Sequence, residues 1–397
     1  MSIAMSGPMS RAISDPELSQ IKNVVLDNGI DMSVSIDAAS MGSKTATPIS
    51  AEDKRDHVLA LNLLLQGCIK PWALKAVVTL GILDILYKAP KKSLTVEKIL
   101  SQIESKNPSS AVSILERVMR FMACEGFFSQ SINKHNEVEY GLNGVSKMYV
   151  TDYELSVVHW VDLYFHKSSV PTLERLHEAI TKDVSPWEQA HGMPVFALNP
   201  KFPEYGDILH KSMISHSNFT GKILAEEYEG FKDSKVLVDV GGSVGNTLAL
   251  ILQFHPHLRG INFDLPSVIA GAPYLPGIEH VGGNFYESIP SGDTMMVMAV
   301  LHNNSDENCV KILRTIYAAL PEDGKLIVVE YVMTNEDNHN AERVRLLDIS
   351  MLSRFRGGQE RTFEHHKALY EAAGFPHCRL IRTTGPIDII EVRKIQH

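Results

Sequence analysis

The chain has 397 residues, 44% of them apolar and 21% charged, with a net charge of −9. That length allows two or three domains and a large core. The acidic balance leaves no footprint for nucleic acid, and no apolar run approaches the roughly 20 residues that span a bilayer.

The first 50 residues are rich in Ser, Met, Asp and Ala. "ELSQIKNVVLDNGI" reads as a short helix in an otherwise mobile extension. It has no secretory core, and its acidic residues speak against a transit peptide. The four cysteines, Cys68, Cys124, Cys309 and Cys378, are scattered. That pattern points to reduced thiols in the cytoplasm and away from zinc.

Residues 51–152 have a helical pattern. "PWALKAVVTLGILDILYKA" (71–89) leaves almost no polar face, which predicts a helix buried on every side. In a small helical domain the cover would be a second subunit, so a homodimer is expected. "NPSSAVSILERVMRFMACEGFF" opens with Asn107 as a cap and Pro108 at the first helical position, with a stripe of Leu115, Val118, Met119 and Met122. Two short strands around a polar turn follow, completing a winged-helix-like unit.

Residues 153–231 read as helices and loops rich in aromatic residues and methionine, including Met213. Some would line a pocket for a flat apolar ligand. From Lys235 strands and helices alternate. The short apolar runs fit strands buried on both faces, as in a parallel sheet. The fold class is therefore α/β, a doubly wound C-terminal domain behind a mainly helical N-terminal one. Its ligands belong at the carboxyl ends of the strands.

Two constellations carry chemistry. "VLVDVGGSVGN" (236–246) sets Gly241, Gly242 and Gly245 in the turn after the first strand, but Ser243 breaks the pyrophosphate fingerprint. Asp264, at the end of the second strand, suits ribose hydroxyls, and Asn284, after the third, suits an adenine edge. Together they indicate a nucleoside without pyrophosphate, and S-adenosylmethionine (SAM) meets that description. The second constellation is His302 after the fourth strand, with Glu330 in the buried "LIVVEYV" and Glu360 in "RGGQERT". A carboxylate on one imidazole nitrogen makes the other a better base. Ser305, Asp306 and Glu307 are explained by helix capping. His255, His257, His365 and His366 read as surface residues. Two carboxylates and a histidine can bind metal in principle, but the apolar pocket and nucleoside site argue for no metal.

"VDVGGSVGN", "GINFDLPSVI", "PGIEHVGGNF", "HNNSDE", "ALPEDGKLIVVE" and "GGQERT" resemble the plant O-methyltransferases of the caffeic acid type, over roughly residues 55–395. The resemblance implies a Rossmann-like SAM methyltransferase domain, preceded by its substrate-lining helices, at 153–397. It implies a dimerisation domain at 51–152. The activity would be SAM-dependent methylation of a hydroxyl on a small aromatic metabolite. By the same resemblance His302 is the general base between Glu330 and Glu360. Ser217, Gly241, Asp264, Asn284, Phe285 and Met298 fall on the cofactor side. Met213, Met351, Phe355 and Asn303 fall on the substrate pocket.

The departures cluster at the cofactor. Asn303 and Asn304 stand where the family has Asp and a Trp that stacks on adenine. Met298 replaces a Lys, Asn284 an Asp, and Ser243 a Gly. SAM binding is then weakened, re-tuned or lost. A methyltransferase fold turned to cofactor-independent cyclisation or elimination is the alternative, and a catalytically silent dimer partner a third.

Overall fold

A computed structural model describes residues 48–197, 202–334 and 339–396. The helix expected over "ELSQIKNVVLDNGI" lies outside them. α1 (Ala51–Cys68) buries none of its side chains. The apolar run 71–89 forms two helices rather than one, α2 (Lys70–Thr79) and α3 (Ile82–Lys88). The break falls at Gly81, whose φ of +66° is open to glycine and costly for other residues. Nor is the run buried on every side. Val77, Ile82, Leu83 and Leu86 are buried, but Trp72 and Leu80 are 54% and 43% exposed.

α4 (Val96–Leu100) and α5 (Pro108–Cys124) complete this helical part. Leu115, Met119 and Met122 of α5 are buried, and Val118 packs beside them. β1 (Ser93–Leu94), β2 (Phe128–Ile132) and β3 (Val138–Leu142) form an antiparallel sheet in the order β1-β3-β2.

Short helices follow: α6 (Gly144–Lys147), α7 (Val158–Tyr164), α8 (Val170–Leu173), α9 (Leu176–Lys182) and α10 (Pro186–His191). The 25-residue α11 (Pro203–Glu227) leads into the sheet domain. Lys75 on α2 pairs with Asp162 on α7 at 2.8 Å, and Trp72 meets Phe165 edge-on at 4.8 Å between centroids.

The large sheet comprises β4 (Val236–Val240), β5 (Arg259–Asp264), β6 (Ile278–Gly282), β7 (Thr294–Met298), β8 (Lys325–Glu330), β9 (His377–Arg382) and β10 (Asp388–Arg393). Its order is β6-β5-β4-β7-β8-β10-β9. The first five pair in parallel, while β10 runs antiparallel between β8 and β9. The sheet is thus mixed, because the short connection 383–387 folds β10 back on β9 and leaves no room for a crossover.

Helices α12 (Asn246–Phe254), α13 (Pro266–Ile269), α14 (Asp306–Ala319), α15 (His339–Arg354) and α16 (Phe363–Ala373) join these strands. Strand residues alternate between two cores. Val238, Met295, Val297 and Val328 face α14 and α16, and Leu237, Met296, Ile327 and Val329 face α11, α12 and α15. That double burial explains why the strands read as continuous apolar runs. The strand order reverses between β4 and β7, which opens a crevice at their carboxyl ends. Among the described residues no helix is long and apolar enough to cross a membrane.

Candidate active site

His302 lies just past β7, in one turn of 3-10 helix spanning Leu301–Asn303. The turn begins at Ala299, a non-glycine residue at φ +53°, a conformation that costs about 1–3 kcal/mol. The adjacent asparagines hold the turn together. Asn303 Nδ2 donates to the Ala299 carbonyl at 3.0 Å, and Asn304 Nδ2 to the Val300 carbonyl at 2.8 Å. Ser305 then caps α14 by accepting from Asn308 N–H.

The three acid/base residues come together, with divided roles. Of the two carboxylates, it is Glu360 whose Oε1 meets His302 Nδ1, at 2.9 Å. Glu330 Oε1 instead accepts Leu301 N–H at 2.9 Å and the longer His302 N–H at 3.4 Å. Its other oxygen is 3.5 Å from Nδ1. The reason is geometric: the chain turns back over the end of β8, so backbone amides reach Glu330 first. Oε2 of each carboxylate is buried without a hydrogen-bond partner.

Burial works against a charged imidazole, but the Glu330 charge and the Glu360 hydrogen bond outweigh it and raise the His302 pKa to about 9. Burial in turn raises the Glu330 pKa, against the opposing pull of His302. With Nδ1 occupied, Nε2 is the nitrogen left for substrate. The His302 side chain keeps 12% of its exposure.

Arg361, which the sequence reading passed over, fastens this turn. Its side chain is fully buried. It donates to the carbonyls of Leu301 at 3.0 Å and Asn304 at 2.7 Å, and to Asp306 Oδ1 through Nε and Nη2. Asp306 is therefore more than a helix cap, and its second oxygen meets His365 Nε2 at 2.8 Å. His365 and His366 are not an exposed pair either: α16 packs on α14, so His366 is buried at 2% exposure. Arg361 could have been suspected from its place beside Glu360. His216 gave no such signal. It is half-buried on α11 near Tyr331, 3.3 Å from that hydroxyl through Nδ1, and burial lowers its pKa to about 4.

At the glycine turn, Ser217 and Met213 of α11 line a small cleft with Gly242, Ser243 and Asn246. Met213 is thus placed beside the glycine turn rather than only among aromatic residues. A Cβ on Gly242 would fall 2.2 Å from Asn262 Oδ1, and Gly241 holds φ +79°. Ser243 adopts φ +54° there, where its missing glycine would be unstrained. Asp264 accepts Ser243 N–H at 2.8 Å and Leu265 N–H at 2.7 Å. Asp239, buried behind it, has its pKa raised to about 7 by burial and then by the Asp264 charge.

Asn284 is engaged locally, donating to Glu287 and accepting from Tyr286 N–H, so its expected adenine contact would compete with this turn. Phe285 meets Tyr286 edge-on at 4.8 Å, and the Tyr286 hydroxyl donates to Asn304 Oδ1 at 2.8 Å. Met298 Sδ accepts a weak contact from the Thr220 hydroxyl. Met351 is buried on α15, and Phe355 follows that helix. The glycine cradle, the oxygen-rich strand ends and the absence of a phosphate fingerprint suit a SAM nucleoside.

The family model for the O-methyltransferase domain matches residues 173–376, and that for the O-methyltransferase dimerisation domain matches 62–152. The chain belongs to the O-methyltransferase family. It is a SAM-dependent O-methyltransferase. Among curated relatives, desmethyl-yatein O-methyltransferase of Sinopodophyllum hexandrum is 34% identical over 343 residues, covering 85% of this chain and 98% of that enzyme. Myricetin 3'/5'-O-methyltransferase 1 of Solanum habrochaites is 35% identical over 353 residues, covering 87% and 97%. In fold, the methyltransferase resembles human N-acetylserotonin methyltransferase, solved with SAM, at a TM-score of 0.74 and 21% identity, over 87% of this chain and 99% of that one.

Proposed function

We propose that this methyltransferase acts on a phenolic hydroxyl of a plant aromatic specialised metabolite, with His302 as the general base. The observation that carries the reading is the His302–Glu360 hydrogen bond of 2.9 Å, backed by Glu330, on a turn beside the glycine cradle. The two relatives named above, a desmethyl-yatein and a myricetin O-methyltransferase, support the aromatic class.

Ser217, Gly241, Asp264, Asn284, Phe285 and Met298 are the proposed cofactor contacts, and Met213, Met351, Phe355 and Asn303 the substrate contacts. When bound, SAM supplies an electrophilic methyl group on a sulfonium. Glu360 holds the imidazole so that Nε2 takes the phenolic proton. A phenol has a pKa of about 10, so a base whose conjugate acid is near 9 accepts that proton with little uphill cost. Glu330 and Glu360 compensate the positive imidazolium. At the proposed adenine end the Tyr286 hydroxyl donates to Asn304, the position where the resemblance implies an indole.

The enzyme is proposed to work as a cytoplasmic homodimer. Residues 51–152 would form its dimerisation domain and 153–397 its substrate-lining and catalytic parts, after an extension at 1–50. The dimerisation match and exposed Trp72 and Leu80 support the dimer, and four free cysteines support the compartment.

A pH profile tests the base. Only neutral imidazole accepts a proton, so kcat/KM for the phenol should rise with pH and level off near pH 9. Glu360→Gln removes a group that raises the pKa, so its profile should level off at lower pH, on a lower plateau. A wild-type profile flat from pH 6 to 9, or a variant limb displaced to higher pH, would contradict the assignment.

A further inference from the structure

A polar rung crosses an otherwise apolar part of the sheet beneath the glycine turn. Asp239 on β4 lies in register with Asn262 on β5, and Asn262 with His280 on β6. Their strand neighbours Val238, Val240, Ile261 and Phe263 are buried apolar residues. Asn262 itself is fully buried, where an amide is costly unless its hydrogen bonds are made.

The partners of Asn262 fix its orientation. Its Nδ2 meets the Ser243 carbonyl at 2.8 Å, and a carbonyl only accepts, so the amide nitrogen faces the turn. The second N–H of that nitrogen serves His280 Nδ1, at 3.1 Å. His280 Nε2 lies 2.9 Å from the Pro273 carbonyl, which makes Nε2 the protonated nitrogen and Nδ1 the acceptor. The amide oxygen is left toward Asp239. A Cβ at Gly242 would fall within 2.6 Å of both Asn262 Oδ1 and Asp239 Oδ2.

The rung ends on Ser243, which holds φ +54°, a region costly for any residue with a Cβ. Its N–H is bound by Asp264 at 2.8 Å and its carbonyl by Asn262. Both peptide groups flanking Ser243 are thus tied to β5. Ser243 in turn lines the cleft with Gly242 and Ser217.

We propose that Asn262 and His280 are positioning residues for the cofactor, holding the Ser243 peptides in this strained conformation and so setting the affinity for SAM. This rests on the reading of the glycine turn as the SAM cradle. The rung does with hydrogen bonds what a glycine at 243 would do by conformational freedom. Asn262 Oδ1 is buried without a partner among the described residues, and Asp239 has its pKa raised to about 7 by burial and then by the Asp264 charge. In its neutral form Asp239 supplies the donor that this oxygen lacks.

The test is calorimetric titration of the full-length enzyme and its variants with S-adenosylhomocysteine. Asn262→Ala removes both donated bonds and should weaken binding about 10- to 30-fold. His280→Phe removes only the acceptor that aligns the amide, and should cost about three- to tenfold. His280→Gln, whose side-chain carbonyl can accept the same N–H, should bind within about twofold of wild type. Ser243→Gly relieves the strain, so on that background Asn262→Ala should cost less than about threefold, whereas a role in sheet stability alone would give the same loss on both backgrounds. His280 is half-buried on an edge strand, so its two variants decide the matter even where Asn262→Ala does not fold. The proposal is overturned if Asn262→Ala and His280→Phe both bind within about twofold of wild type, or if Ser243→Gly leaves the Asn262 loss undiminished. A wild-type protein that binds no S-adenosylhomocysteine would overturn the SAM reading and this proposal with it, a result distinct from either.

Discussion

His302→Ala should lower kcat by about a hundred- to ten-thousand-fold, the usual contribution of a positioned general base. The expectation follows from the division of labour at the turn. Glu360 fixes Nδ1, so loss of the ring removes the proton acceptor and leaves both carboxylates in place. Two buried carboxylates without their imidazole partner hold a proton between them, which makes the variant a poor base as well as a misaligned one. His302→Gln preserves much of the volume but cannot accept the proton, and should be comparably slow. Affinity for S-adenosylhomocysteine should change little, because the glycine cradle and Asp264 belong to other loops. Methyl transfer from labelled SAM gives kcat, and calorimetry gives the affinity. A variant within about threefold of wild-type kcat would remove His302 as the base.

Arg361→Ala should cost about 3 kcal/mol of folding stability, read from the urea midpoint at constant slope. Its guanidinium has no access to water and joins two turn carbonyls to Asp306. Removing one partner of such a buried network leaves the others unsatisfied. The same contacts fix the carbonyls on either side of His302, so kcat should fall too, through loss of orientation rather than of chemistry. Arg361→Lys should rescue poorly, since an ammonium cannot reproduce the planar fork. A loss below about 1 kcal/mol with unchanged kcat would show that the turn stands without this clamp.

The sequence carried the sheet well, because strands covered on both faces leave continuous apolar runs and glycine turns leave a composition of their own. Glu330 was visible as a carboxylate in a buried strand, a position that needs a partner. What the sequence could not carry was which atom faces which. The division of roles between Glu330 and Glu360 depends on the path of the chain over β8. Arg361 and Asp306 form their network across 55 residues, with each also open to a simpler local reading. Gly81 was overlooked because the apolar run around it suggested an unbroken helix. Asn303 and Asn304, which looked like erosion of the site, also hold the turn that carries His302.

The proposal is that the cleft with Ser243, Asn284, Met298 and Asn304, where the resemblance implies other residues, binds SAM. Titration of the full-length protein with SAM and with S-adenosylhomocysteine by calorimetry measures this directly. The account predicts one site per chain with a dissociation constant in the micromolar range. Absence of binding at millimolar ligand would contradict it.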